Sequence, residues 1–161
     1  MTVECTFTQG PFRPKSYTID LNDSWELQPT NSNPNIEEYD GVYQSFSNKG
    51  KNNTAAIMYL DLFGYNVFNI YIRSNGESKY DYIMVGQPNT TITNDTSYSD
   101  TSLVKAHTRG KSTSSTALSN YTKVTFTGLD SYTIYRIPIL YRKNSSNNSG
   151  DDRGYLLIPK N

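Results

Sequence analysis

The feature that most limits what this chain can fold into is its hydrophobic period. No window long enough for an amphipathic helix carries apolar residues at helical spacing, whereas short segments alternating at period two recur along the chain. Val3–Thr8 sets Val3, Cys5 and Phe7 against Glu4, Thr6 and Thr8, and Tyr17–Leu21 sets Tyr17, Ile19 and Leu21 on one side. Ala55–Leu62, Val67–Arg73 and Tyr80–Val85 continue the pattern, with the short aromatic segment Gly41–Phe46 before them. Leu103–His107, Tyr121–Thr127, Tyr132–Lys143 and Gly154–Ile158 follow. Period two places alternate side chains on opposite faces of a strand, so each segment has one face to bury. The 14 tyrosines and the abundance of threonine fit strands and argue against disorder.

Turn chemistry separates the segments: Asn75-Gly76, Gly86-Gln87-Pro88-Asn89, Thr127-Gly128-Leu129-Asp130 and Ser149-Gly150-Asp151-Asp152. Asn75-Gly76, between two alternating segments, predicts a hairpin. Many short strands with such turns predict an all-β chain, an antiparallel β-sandwich of jelly-roll or immunoglobulin-like topology. Pro29–Asp40, Gln87–Ser102 and Arg109–Ser119 are long polar connections, the kind of segment that either acts or is ordered by a partner. The Gly10–Pro14 stretch marks a boundary. Residues 1–14 then form an N-terminal strand and linker, the strand either an edge of the same sandwich or docked on a neighbour, and residues 15–161 the sandwich domain.

Charge narrows the partners. Lys+Arg and Asp+Glu both number 15, so the chain has no basic excess for a phosphate backbone or an anionic bilayer. Neither nucleic acid nor membrane is expected as a partner. No apolar run reaches the length of a membrane span, and the opening MTVECTFTQGPF has no charged leader followed by an apolar stretch. Cys5 is the only cysteine, which excludes an intrachain disulfide. Together these predict assembly in a cytoplasm.

Two parts of the chain carry a resemblance. VECTFTQG at positions 3–10 resembles the closing strand of immunoglobulin-like modules common in Bacteroidetes and their phages, including the BACON type. A larger block comprises YDGVYQSF (39–46), IMYLDLFGY (57–65), FNIYIRSNGESKYDYIMVG (68–86), LVKAHTRG (103–110) and DDRGYLLIPKN (151–161). It is similar to a β-sandwich module in structural proteins of crAss-like Bacteroides phages. The resemblance implies a non-enzymatic virion component, a capsid decoration or head-fibre protein assembled in the bacterial host cytoplasm. Its partners would be other virion proteins and further copies of itself, in an oligomer or multi-copy array, and it supplies no functional residues.

The residues themselves leave a second function open, a carbohydrate-binding module of a phage fibre or a Bacteroidetes surface protein. Trp25, Tyr39, Tyr43, Tyr98 and Tyr121 lie outside the regular strand pattern, and flat rings of this kind serve either sugars or protein interfaces. Trp25, Tyr39, Tyr43 and Tyr98 are accordingly the candidate ligand-binding residues. Glu77 and Asp81, with Asp151 and Asp152 if the fold brings them near, could offer oxygens to calcium, but equally pair with a basic side chain or cap a turn. His107 is the only histidine and has no nucleophile and acid in recognisable spacing, so it reads as a strand-end residue. The adjacent acids Glu37-Glu38 and Asp151-Asp152 read as solvated turns rather than a glycosidase pair. No catalytic residue, metal or cofactor is expected.

Overall fold

A computed structural model describes residues 14–28, 39–77, 80–110, 117–144 and 152–161. The N-terminal strand expected at Val3–Thr8 and the loop around Glu37-Glu38 lie outside these residues, as does Asp151. Among the described residues the strands are β1 (Ser16–Asp20), β2 (Trp25–Leu27), β3 (Tyr39–Ser45), β4 (Thr54–Phe63) and β5 (Phe68–Asn75), then β6 (Tyr82–Gly86), β7 (Val104–Arg109), β8 (Thr122–Phe126), β9 (Tyr135–Lys143) and β10 (Arg153–Pro159). Nine of the ten match a segment that the sequence marks as a strand. The exception, β2, spans three residues and is too short to show a period.

The strands form two antiparallel five-stranded sheets, ordered β1-β4-β9-β6-β7 and β2-β3-β10-β5-β8. Strands β3 to β10 therefore pair as first-with-eighth-third-sixth in one sheet and second-seventh-fourth-fifth in the other. That is the jelly-roll order, with β1 and β2 added as edge strands, and it settles which of the two expected topologies the chain adopts. Almost every connection leads from one sheet to the other. Asn75-Gly76 is one of these: β5 belongs to one sheet and β6 to the other, so the predicted hairpin is a corner between sheets. The glycine is needed for space. A Cβ on Gly76 would lie 2.3 Å from the Tyr141 hydroxyl and 2.9 Å from Asp81 Cβ.

Alternation sets the core. Along β4, Ala56, Met58, Leu60 and Leu62 point inward, and Ile137, Ile139 and Tyr141 of β9 do the same. Phe68, Ile70 and Ile72 of β5 and Leu156 and Ile158 of β10 meet them from the opposite sheet. Phe68 is the aromatic centre at one end, edge-on to Tyr17 at 5.7 Å and Tyr65 at 4.8 Å between ring centroids. The outer face of the β4–β9 sheet is covered as well. The long Gln87–Leu103 connection lays Ile92, Tyr98 and Leu103 over Tyr82, Met84 and Leu140, forming a second small core. This segment, polar in sequence, is ordered by its own sheet through three apolar side chains.

Trp25 belongs to the main core. Its indole is 1% exposed and its Nε1–H donates to the Ala56 carbonyl at 3.1 Å. Gly154 leaves the room, since a Cβ there would sit 3.1 Å from the ring. Trp25→Ala is therefore expected to lower unfolding free energy by about 3–5 kcal/mol, from lost burial plus a cavity. Urea unfolding followed by circular dichroism measures this; a change under about 1 kcal/mol would contradict the packing.

Candidate functional site

The four aromatic residues singled out in the sequence do not gather on one face. Trp25 is in the core, where it cannot stack on a ligand, because β2 turns its first residue inward. Tyr43 of β3 also faces inward, half-buried against the main core, and its ring lies under Gly41, where a Cβ would be 2.5 Å away. Burial raises the Tyr43 pKa. Its neighbour Tyr17 is pushed up to about 12, first by burial and then by the nearby Tyr43, Asp40 and Tyr65. Tyr39, on the same strand as Tyr43, lies on the outer face of that sheet, packed with Tyr71 against Val42, Tyr121, Tyr155 and Leu157. A one-residue bulge opposite Ile158–Pro159 moves it there. Tyr121 is in the same buried cluster, and Arg73 lies over the Tyr155 ring at 4.0 Å.

Tyr98 sits on the outer face of the β4–β9 sheet. Its ring is edge-on to Tyr82 at 5.4 Å and tilted against His107 at 4.4 Å. Its hydroxyl accepts a hydrogen bond from Arg109 Nη2 at 2.6 Å. Arg142 lies over Tyr82 at 5.2 Å and donates from Nε to the Asn94 carbonyl. These rings and guanidiniums clamp one another and hold the Gln87–Leu103 segment down, a structural use of the residues. His107 is thus a strand residue in a stack, and burial, followed by the charge of Arg109, lowers its pKa.

A different set of the described residues lines a concavity of about 480 Å³. Asp20, Asn22, Tyr59, Asn89, Thr90, Thr91 and Arg136 line it. Its origin is a proline in a central strand. Arg136 of β9 uses both backbone groups toward Asn89: its N–H donates to Asn89 Oδ1 at 2.8 Å and its carbonyl accepts from Asn89 N at 2.7 Å. Every second residue of an antiparallel strand points its backbone groups the same way, so the missing N–H of Pro138 faces the same side. The β6–β9 ladder accordingly stops at Val85–Ile139, one step short of Pro138. Gly86 passes close over the proline ring, where a Cβ would be 2.5 Å from Cγ. Past this gap Asn89, in left-handed conformation at φ 61°, takes the place of a strand residue against Arg136.

The opposite wall comes from the turn after β1. Asn22 and Asp23 both have positive φ, and Asn22 N donates to Asp20 Oδ1 while its side-chain amide donates to the Ile57 carbonyl. Tyr59 and Arg136 form the floor. Tyr59 points outward from β4, and the guanidinium lies 4.1 Å above its ring. That guanidinium is shared between Asp20 and, at 3.7 Å, Asp61. Thr90 Oγ1 donates to the Gln87 carbonyl, fixing the loop. Hydrogen-bonding groups are thus held by backbone and by one another before any ligand arrives.

The acids considered for a cation also have an assignment. The fold does bring Asp81 and Asp152 together, both fully buried, and Lys143 Nζ lies between them, 3.4 Å from Asp152 and 4.0 Å from Asp81. An ammonium stands where a cation would. Glu77 contributes its backbone N–H, which donates to Asp81 Oδ2 at 2.8 Å. Among the described residues, no group of three or more His, Cys, Asp or Glu side chains converges as metal ligands.

No protein-family model and no curated protein matches the chain. Among solved structures it is similar to TmCBM61, a carbohydrate-binding module determined in complex with beta-1,4-galactotriose. The match covers 96% of this chain and 94% of that one, at 12% sequence identity and a TM-score of 0.43. A likeness at that level does not carry a ligand across.

The lowered His107 pKa has a definite sign. Below the ordinary value of 6.5 the unfolded chain binds a proton that the native stack resists. Stability contributed by this group is therefore lost as pH falls through and below that value. Urea midpoints measured from neutral pH downward are expected to fall in this window, and less steeply in His107→Gln. An equal slope in both proteins would contradict the stack.

Proposed function

We propose that the chain is a non-catalytic carbohydrate-binding module, with the concavity between the β1–β2 turn, Tyr59, Arg136 and the Asn89–Thr91 loop as its sugar site. The observation that carries this reading is the make-up of the lining. One carboxylate, one guanidinium, two amides and two hydroxyls surround a single aromatic ring, with Asp20 and Arg136 balancing in charge. Such a wall has little to offer an apolar ligand or an ion of either sign. It suits a neutral molecule with a hydroxyl on nearly every carbon. Prior fixing of the groups by Asn22, Asn89 and Thr90 lowers the ordering cost of binding. The volume is within the range of small-molecule sites and suits one or two sugar residues.

The virion role implied by the sequence resemblance rests on that resemblance alone, and no surface among the described residues adds an observation to it. The two roles are compatible in a fibre protein that holds a host glycan. A sugar site would then be the part of such a protein that selects its target.

The test is titration calorimetry with a panel of neutral oligosaccharides and soluble polysaccharides. At least one is expected to bind saturably. Arg136→Ala and Asp20→Ala should then each weaken it tenfold or more, as expected for a charge-assisted hydrogen bond worth about 1.5–3 kcal/mol. Tyr39→Ala, on the other sheet, should leave affinity unchanged. Binding that survives both variants would move the site elsewhere, and no binding across the panel by natively folded protein would end the proposal.

A further inference from the structure

At the other end of β9 from Arg136, the structure holds a group of buried charges that the sugar site does not use. Lys143 closes β9 in one sheet, and Asp152 immediately precedes β10 in the other. Asp81 precedes β6. All three side chains are fully buried. Lys143 Nζ faces both carboxyl oxygens of Asp152 nearly symmetrically, at 3.4 and 3.5 Å. Asp81 lies within 4.0 Å of the same nitrogen. Asp81 is itself held firmly, accepting from Glu77 N at 2.8 Å and from Asn144 N at 2.9 Å.

As three charged groups this arrangement is costly. Two carboxylates and one ammonium leave a net negative charge with no access to water, and even a matched pair repays its desolvation poorly. Burial raises the Asp152 pKa, an effect that the charge of Lys143 only partly offsets. Moving the lysine proton onto Asp152 removes two of the three charges. It also yields the two forms that react with each other, a neutral amine and a neutral carboxylic acid, side by side in the dry interior.

We propose that Lys143 and Asp152 condense in the folded protein to an amide between Nζ and Cγ, with Asp81 as the proton carrier. The amine nitrogen adds to Asp152 Cγ, forming the N–C bond. The proton released from nitrogen passes to the Asp81 carboxylate and from there to the departing hydroxyl. The C–O bond breaks and one water leaves. Ammonium plus carboxylate become amide plus water, nothing is oxidised or reduced, and Asp81 is returned unchanged. The reaction needs no co-reactant. It is driven by held proximity and by removal of a buried ion pair. The product is a covalent tie between the two sheets at the corner where β9 passes to β10.

The experiment is mass spectrometry of the whole purified chain, followed by tryptic mapping. The wild-type protein is expected one water lighter than its sequence. The loss should map to the peptide Lys143–Arg153, uncleaved after Lys143. Lys143→Arg, which keeps the charge but cannot form this amide, should restore the sequence mass. Asp81→Asn should restore it while Lys143 and Asp152 are both present. A folded wild-type protein at full sequence mass, after prolonged incubation at neutral pH, would overturn the proposal without recourse to any variant. So would a loss that persists in Lys143→Arg or is reversed by hydroxylamine, since either marks a succinimide at an aspartate.

Discussion

The β4–β9 ladder, nine residue pairs from Thr54–Lys143 to Leu62–Tyr135, is the spine of the molecule. Its inward side chains supply much of the main core, and its outward ones supply the floor of the concavity and the underside of the second core. One ladder fixes Arg136 at one end and Lys143 at the other. Features that differ in character, an open polar hollow and a dry knot of charge, are therefore set by a single register. A one-residue slip would turn Tyr59 and Arg136 into the core and bring Met58 and Ile137 to the surface.

Much of the architecture was legible from alternation because each strand has one face on the core. Ala56–Leu62 and Phe68–Ile72 are plain examples. What alternation cannot encode is the sheet to which a strand belongs. Asn75-Gly76 has the chemistry of a hairpin, yet Ser74 and Asn75 run buried to the corner and the chain crosses to the other sheet. Conformational signals of two residues fix a local bend, not the partner that lies beyond it.

The concavity was not legible, for a related reason. Asp20, Tyr59, Asn89 and Arg136 come from separate parts of the chain, and none is unusual where it stands. The one signal available was the pairing of Pro88-Asn89 with Pro138. A proline inside an otherwise good strand marks a break in a ladder, and an asparagine after a turn can fill such a break. The aromatic residues are scattered by the fold over both sheets. Rarity drew attention to Trp25, but a large ring on a short edge strand is held by burial. The acids were a partial success: Asp81 and Asp152 do meet, but the element that joins them, Lys143, looks in sequence like any polar end to a strand.

The order of strands has a further consequence. The middle strand of one sheet is β9, and the middle strand of the other is β10. Both follow all the other strands in the chain. During synthesis, each sheet therefore exists first as two separate pairs, β1-β4 and β6-β7 on one side, β2-β3 and β5-β8 on the other. Each waits for a keystone with its inner edge open. Nascent chains of this kind gain little from folding early and expose strand edges until the last segments emerge. Completion is then abrupt, and a chain cut short before Tyr135 would lack the means to close either sheet.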